Sequence, residues 1–317
     1  MIGYYLLRTL TWLIYKMPLR VLYFHSDLLF VILYHLIRYR RDVVDQNLIN
    51  SFPEKTKKER DQIAVKFYHH LCDCFLETLY FDRITNEKVK ERVKFLNPGL
   101  ANDYMDKGRQ VIILMGHYNN WECFNNWGLH TDYPSYAIYK KLRNKAFEKF
   151  YIHLRSRFGS TPLERGLTYR QLYDDLKAGL PGLSLFLIDQ TPRSFDIQYW
   201  TTFLNQETAV LVGPEKVAVK LNSVVLFGKT KKIKRGFYEV EFELITDQAK
   251  QCRKFEITEK STRLMEELIV EKPEYWLWSH RKWKHNRAVI EMDKALKMAE
   301  QEIFAKNEAV RLIPELL

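Results

Sequence analysis

A histidine and a glutamate that follow an apolar run are the residues of this sequence best suited to catalysis. Residues 111–115 are Val-Ile-Ile-Leu-Met, Gly116 makes a turn, and His117 and Glu122 come next. A carboxylate that accepts one ring N–H of a histidine fixes its tautomer and leaves the other ring nitrogen basic. That nitrogen then serves as a general base for a hydroxyl group. We therefore predict that Glu122 orients His117 for proton abstraction; the alternative is a histidine that only packs in the core or caps a helix.

The spacing of His117 and Glu122 limits the geometry of the pair. Five residues correspond to about 140° around an α-helix, so the side chains meet only if His117 precedes the helix and its ring turns back. The spacing is not the His-x-x-x-His of helix-borne zinc, and the sequence has neither a Gly-x-Ser-x-Gly elbow nor a Walker phosphate loop. Metal-dependent, serine-hydrolase and P-loop chemistry are therefore disfavoured.

Three apolar runs, 111–115, 183–188 and 224–227, predict the buried strands that position these residues. In a fourth strand, 237–245, apolar and polar residues alternate, as is typical of a strand with one solvent-exposed face. Its predicted inward residues are Phe237, Val240, Phe242 and Leu244. Ligand and catalytic groups of α/β sheets gather at the carboxyl ends of the strands. The predicted helices are 42–80 in two parts divided at 50–54, 121–129, 145–158, 168–178, 207–221, 256–270 and 287–310. This order predicts an α/β layered domain with a central mixed sheet flanked by helices.

Residues 1–37 are apolar and aromatic, but charged residues interrupt every run before it reaches the length of about 20 that spans a bilayer. Three arginines at 38, 40 and 41 follow, as expected where basic residues stay on the cytoplasmic side of a membrane. We predict that 1–41 is an interfacial or shallowly inserted helical anchor and that 42–317 is the catalytic domain. Helices that simply pack on the core are the alternative.

Positive charge is concentrated in two stretches of the chain. The 317 residues carry 50 Lys plus Arg against 39 Asp plus Glu, and 136–170 alone has nine cations and two carboxylates. A second stretch, 228–238, has five cations and no acid. Localised charge of this kind predicts an anionic partner, and four classes fit: nucleic acid, phospholipid headgroups, a phosphorylated substrate or an acidic carrier protein. Solvated lysine-rich loops are the alternative.

The cysteines at 72, 74, 123 and 252 lack the spacing of a zinc site and are expected to be reduced thiols.

Residues 116–122, Gly-His-Tyr-Asn-Asn-Trp-Glu, resemble the histidine, four residues, acid signature of glycerolipid acyltransferases. They are most similar to the Gly-His-x-x-Asn-Trp-Glu form of the late acyltransferases of bacterial lipid A synthesis. Further matches follow in family order at 41–48, 51–54, 139–144, 155–159, 189–190 and 278–284. Two positions depart from the family pattern, because Lys140 replaces a usual arginine and Asn205 a common glycine.

The resemblance implies an acyltransferase-type domain and an acyl transfer without an acyl-enzyme. His117, oriented by Glu122, would take a proton from a substrate hydroxyl as that oxygen attacks the thioester of acyl carrier protein. The acceptor implied is a 3-hydroxyacyl chain of a phosphorylated, Kdo-bearing lipid A precursor. Partners would be the carrier protein, this anionic glycolipid and inner-membrane lipids at the cytoplasmic face, with no cofactor, no metal and no nucleic acid.

A set of polar residues is predicted to bind the substrates. It consists of Lys140, Arg143, Asn144, Arg155, Arg157, Asp189 and Gln190. Asp189 and Gln190 follow a strand, and the alternative role for them is to tie the active-site loop. Asn120 and Trp121 are expected to support that loop. Trp278, His280 and Arg281 are expected to form a buried hydrogen-bonding corner. Other functions left open are the same chemistry on another membrane glycolipid or aminolipid, a basic nucleic-acid-binding protein, and a membrane scaffold, in which His117 and Glu122 would point apart.

Overall fold

The computed structural model describes residues 2–312, with only the backbone at 2, 298 and 301–312. Seven strands form one mixed sheet in the order β1-β9-β8-β2-β5-β3-β4, and β6 and β7 form a separate hairpin. All neighbours in the large sheet are parallel except β8 and β9, so the predicted central mixed sheet is confirmed. The strands are β1 Val93–Phe95, β2 Val111–Met115, β3 Ser135–Tyr139, β4 Thr161–Glu164, β5 Leu183–Leu187, β6 Trp200–Phe203, β7 Gln206–Ala209, β8 Val224–Lys234 and β9 Phe237–Thr246.

Helices cover both faces of the sheet. In the described part of the chain they are α1 Ile2–Lys16, α2 Leu19–Val31, α3 Arg41–Ser51, α4 Lys57–Phe81, α5 Asn86–Arg92, α6 Gly99–Asp106, α7 Lys145–Ser156, α8 Thr168–Lys177, α9 Gly213–Leu221, α10 Glu256–Glu271 and α11 Arg287–Leu312, with a 3₁₀ helix at Trp121–Leu129. The longest of the central helices, α4, starts at a capping box in which Thr56 and Glu59 bond each other's backbone.

Strand β2 lies in the middle of the sheet, and all five of its residues are buried. Successive side chains of a strand point to opposite faces. Val111, Ile113 and Met115 accordingly join the apolar cluster that contains α1, α6 and α7 residues, whereas Ile112 and Leu114 join the cluster under α3, α4 and α10. A strand buried on both faces requires a continuous apolar run, which is why the sequence pattern located it.

Most predicted elements are confirmed, but the predicted helix 207–221 is wrong over its first part. Gln206–Ala209 forms β7, and the helix begins only at Gly213 with a proline in its first turn. The hairpin from β6 to β7 turns on Leu204 and Asn205, which both have left-handed backbone angles (φ 50° and 62°). A two-residue hairpin with two left-handed residues is the type that favours asparagine and glycine. Asn205 therefore suits the place where the family often has glycine.

The inward face predicted for β9 is correct only in its middle. Val240 and Phe242 are buried as expected, but the other two buried apolar positions are Tyr238 and Ile245, and Leu244 is 44% exposed. A register irregularity against β8 separates the pairs Leu226–Leu244 and Val225–Thr246. A bulge inserts one residue and changes which side chains face the core.

The two N-terminal helices pack on the domain along one side and are apolar on the other. Leu22, Ser26 and Phe30 form the buried side of α2, against α4, while its exposed side carries apolar residues, among them Phe24 and Leu28. Leu19–Leu36 is long and apolar enough to cross a membrane, and only 17% of this stretch is buried. The contacts fit both packing on the core and a lipid-facing surface, and the boundary at residue 41 stays a prediction.

Candidate active site

His117 and Asp189 meet at the carboxyl edge of two neighbouring strands. Strand β2 ends at Met115, its partner β5 ends at Leu187, and these two residues are opposite each other in the parallel pair. Two residues after these strand ends come His117 and Asp189. Because the carboxyl ends of parallel strands lie at one edge, the two side chains are brought together although 72 residues separate them.

Asp189 holds the histidine at two points. Its Oδ1 lies 2.7 Å from Nδ1 of His117, and its Oδ2 accepts the backbone N–H of the same residue at 2.8 Å. Oδ2 also accepts the indole N–H of Trp276 at 2.8 Å. Sequence patterns gave Trp276 no role, and it lies just outside the motif that begins at Trp278.

The charge of Asp189 determines the tautomer of His117. Burial by itself would raise the pKa of Asp189, but the attraction of His117 and hydrogen bonds from His117 and Trp276 lower it well below its usual range. An ionised carboxylate only accepts hydrogen bonds, so the proton of the ring lies on Nδ1. Nε2 therefore keeps its lone pair, which is the state that a general base requires.

The prediction that Glu122 orients His117 is wrong, because Asp189 makes that contact. No hydrogen bond joins Glu122 to the ring among the described residues. Glu122 lies in the first turn of the 3₁₀ helix, and its Oε1 accepts a bond of 2.8 Å from Nη2 of Arg155 on α7. Its Oε2 accepts from Nε of Arg155 at 3.3 Å and from the amide of Asn125 at 2.5 Å. The carboxylate of Glu122 is buried, and the partly buried guanidinium of Arg155 supplies the opposite charge that it needs.

The Glu122–Arg155 ion pair forms one wall of the space in front of His117. Burial would raise the pKa of Glu122, but the charge and hydrogen bonds of Arg155 lower it. Burial likewise opposes the charge of Arg155, and Glu122 raises its pKa. Beside this pair, the Trp121 ring stands edge-on to the His117 ring at 4.9 Å between centroids. The Glu122–Arg155 ion pair and the Trp121 ring together form a fixed wall on this side of His117.

Of the seven predicted substrate-binding residues, Asp189 instead holds His117. The other six divide into two groups. Lys140, Arg143, Arg155 and Gln190 line the cleft in front of His117. Asn144 and Arg157 do not, and their contacts assign both to the framework. The side chain of Asn144 caps α7 by accepting the N–H groups of residues 146 and 147, at 2.9 and 3.3 Å. Arg157 donates to the carbonyls of residues 82 and 84 after the end of α4.

The cleft has a volume of about 920 Å³ and combines apolar and charged walls. Its charged lining is mostly basic and consists of Lys140, Lys141, Arg143, Arg155, Arg165, Arg193 and Lys216 against Glu122, Glu148 and Asp196. Its apolar lining includes Ile138, Leu142, Phe186, Leu187, Leu211, Val217 and Leu277. A site of this composition accepts an apolar chain that carries anionic groups. Among the described residues, no group of three histidine, cysteine or carboxylate side chains is placed to hold a metal ion.

The second basic stretch, 228–238, is largely paired within the protein. Lys229 pairs with Glu243, and Lys232 lies 3.4 Å from Asp73. Arg235 bonds Asp73 and also Asp27 of α2. This stretch therefore fastens α2 to the domain, whereas Lys140, Lys141 and Arg143 of the stretch 136–170 are exposed side chains that line the cleft.

The segment after Asp189 rests on the C-terminal motif. Nζ of Lys282 is buried and lies 3.4 Å from the carbonyl oxygen of Gln190, and the hydroxyl of Thr191 donates to the carbonyl of Lys282. Burial, partly opposed by Asp189, lowers the pKa of Lys282 to about 8. The corner expected at Trp278, His280 and Arg281 is confirmed only in part: Trp278 is buried and Asn47 donates to the carbonyls of residues 278 and 280 at 2.8 and 3.0 Å, but the side chain of Arg281 is exposed.

A comparison with protein families matches residues 1–285 to the family described as bacterial lipid A biosynthesis acyltransferase. The chain belongs to this family. The resemblance found in the sequence is thereby confirmed, and membership implies acyltransferase activity in lipid A synthesis. The match ends just before α11 begins. A comparison with curated proteins gives no significant match.

Proposed function

We propose that this lipid A acyltransferase moves a fatty acyl chain from acyl carrier protein to a hydroxyl of a phosphorylated, Kdo-bearing lipid A precursor, with His117 as the general base. The observation that carries the proposal is the hydrogen bond of 2.7 Å between Nδ1 of His117 and the ionised Asp189, which makes Nε2 the basic nitrogen of the neutral ring. Both His117 and the residue after Asp189 line the cleft. An oriented imidazole at a cleft of mixed apolar and basic character suits deprotonation of a lipid hydroxyl that attacks the thioester of the carrier protein.

The proposed reaction has two steps, which the base links. The acceptor hydroxyl gives its proton to Nε2 of His117 as its oxygen forms a bond to the thioester carbon, and the carbonyl becomes an oxyanion. The tetrahedral intermediate then collapses, the carbon–sulfur bond breaks, and the imidazolium returns the proton to the departing thiolate. Asp189 stabilises the imidazolium between these steps and prevents the ring from rotating. Glu122 acts in this scheme through Arg155, as a positioning residue.

The charges of the cleft support the proposed substrates. Lipid A precursors carry phosphates and sugar carboxylates, and acyl carrier protein has an acidic surface, so both partners are attracted by basic residues. Lys140 and Arg143 are exposed side chains at the cleft and are suited to guide such partners. The partly buried Arg155 already pairs with Glu122 and contributes less net charge.

The N-terminal helices support a location at the cytoplasmic face of the inner membrane. The exposed apolar side of α1 and α2 would contact lipid, with Arg38, Arg40 and Arg41 next to it in the chain. Basic residues beside an interfacial helix favour an anionic leaflet. This placement would bring the enzyme to a lipid acceptor that does not leave the bilayer.

A second acceptor, another membrane glycolipid or an aminolipid, is kept because Lys140 stands where the family usually has arginine. Arginine grips a phosphate with two parallel hydrogen bonds, whereas lysine offers a single point charge. The same base and the same donor would serve either acceptor. Mass spectrometry of lipids from a strain that lacks the protein distinguishes them, because the lipid that loses one acyl chain is the acceptor.

The proposal is tested with the purified full chain in detergent, acyl-carrier-protein donor and the Kdo-bearing precursor. We expect acyl transfer by the wild type and its loss in His117→Ala. His25→Ala is the matched control, because His25 is exposed on α2 and its ring bonds only the carbonyl of Val21, at 2.8 Å. Normal turnover by His117→Ala would refute the general-base assignment, and transfer from another thioester but never from the carrier protein would refute the donor.

A further inference from the structure

The side chain of Gln190 occupies the lone pair that the acceptor hydroxyl needs. Nε2 of its amide lies 3.2 Å from Nε2 of His117. Because Asp189 takes the Nδ1 proton, the other ring nitrogen is an acceptor, so the amide is the donor. An sp² ring nitrogen has one in-plane lone pair and therefore accepts one good hydrogen bond. The incoming hydroxyl must displace the amide before it can give up its proton.

The main chain of Gln190 is held in place while its side chain is exposed to the cleft. The buried Lys282 contacts its carbonyl oxygen, and the next residue, Thr191, donates to the carbonyl of Lys282. Farther along, the His285 ring lies 3.1 Å from the carbonyl of Pro192. Displacement of the amide from the ring therefore means rotation of an exposed side chain about a fixed backbone, which is a small and fast movement.

We propose that Gln190 donates the hydrogen bond that stabilises the oxyanion of the tetrahedral intermediate, so that its amide passes from the base to the oxyanion when the acceptor binds. This inference rests on the proposed acyl transfer. The attacking oxygen and the oxyanion are bonded to the same carbon, so an amide displaced by the first is next to the second. Donors placed about 3 Å from a developing oxyanion supply one of the largest single contributions to acyl transfer.

Arg155 is the other charged donor beside His117, and its contacts make it less suited to this role. It directs Nε and Nη2 at the carboxylate of Glu122, at 3.3 and 2.8 Å. Turning the guanidinium toward the oxyanion would break this buried pair, which is strongly unfavourable. Gln190 gives up only one hydrogen bond between uncharged groups.

The test is Gln190→Met, which keeps the length and volume of the side chain and removes the donor. We expect kcat to fall by about 10²- to 10³-fold with little change in KM, the loss that follows removal of one oxyanion donor. Gln190→Glu should show the same loss, because a carboxylate accepts hydrogen bonds and cannot donate to an oxyanion. Gln62→Met is the matched control, since Gln62 is an exposed glutamine of α4 that does not line the cleft; its kcat should stay near that of the wild type.

Each result separates this inference from its rivals. If Gln190 only blocks the base, Gln190→Met will raise kcat/KM, because nothing has to be displaced; a higher or unchanged value refutes the oxyanion role. A higher KM with an unchanged kcat would make Gln190 a substrate-binding residue and would also refute the oxyanion role. Failure of the underlying reaction looks different, since the wild type would then be inactive or His117→Ala fully active. Far-ultraviolet circular dichroism of each variant verifies the fold.

Discussion

The substitution Asp189→Asn provides a sharp test of which acid controls the histidine. In the wild type Oδ2 accepts two N–H groups, from the backbone of His117 and from Trp276, and Oδ1 accepts one from the ring. An asparagine has one oxygen and one NH₂ group to place at these sites. The oxygen must take the Oδ2 position, because an NH₂ there would face two donors. The NH₂ group then faces Nδ1 of His117 and turns it into an acceptor.

The magnitude follows from the cost of the opposite orientation. It would leave two buried N–H groups without an acceptor, at about 1–3 kcal/mol for each. The orientation that keeps the base active is thus disfavoured by about 2–6 kcal/mol, which leaves it populated at about one part in 30 to one in 10⁴. The ring proton moves to Nε2 of His117, where it blocks the base. We expect kcat to fall by a corresponding factor, before the lost stabilisation of the imidazolium is added.

The assay combines initial rates with ¹⁵N chemical shifts of the His117 ring, which report the tautomer independently of turnover. Glu122→Gln is the comparison, because the alternative assignment gives Glu122 the orienting role. We expect the tautomer to change in Asp189→Asn and to stay as in the wild type in Glu122→Gln. A threefold or smaller loss of kcat in Asp189→Asn, or a tautomer change in Glu122→Gln alone, would refute the reasoning.

Three further predictions concern stability and membranes. Burial lowers the pKa of Lys282 to about 8 from an unfolded value of 10.5; the unfolded state therefore binds more protons between these values, and stability should rise with pH across that window. At pH 7, the free energy of unfolding of Lys282→Met, measured in urea, should exceed that of the wild type by up to about 3 kcal/mol. A large decrease in this free energy would contradict the prediction. Replacing Phe24 and Leu28 by serine should weaken sedimentation with anionic vesicles, and unchanged sedimentation would argue against a lipid-facing α2. Arg157→Ala should lower the melting temperature while the KM for the lipid stays constant, because Arg157 bonds main-chain carbonyls; a raised KM would restore its predicted contact with substrate.

The sequence located the histidine but could not choose its acid. His117 and Glu122 lie five residues apart, and local spacing suggested that they meet. Asp189 was recognised at a strand end, yet its contact with the ring depends on β5 being the neighbour of β2, which no local pattern encodes. The carboxylate of Glu122 instead pairs with Arg155, which lies 33 residues later in the chain.

Secondary structure followed the same division between local and distant causes. An apolar run located β2, and the turn at 50–54 separated α3 from α4, since these signals lie within each segment. The short strands β1, β3, β4, β6 and β7 were missed because their pairing partners stabilise them more than their own composition does. The change of face near Leu244 arises from a bulge against β8, which depends on the partner strand as well as on the sequence of β9.

The attachment of α2 has a consequence for how a lipid would reach the enzyme. Ser26 donates to Asp73 at 2.7 Å, and Arg235 bonds both Asp73 and Asp27, so this helix and the strands that carry His117 belong to one rigid unit. If α2 lies in the bilayer surface, as proposed above, these contacts fix the height of the imidazole above the headgroups. In this arrangement depth selects the acceptor, because a hydroxyl at the wrong level of the lipid would never come opposite the ring.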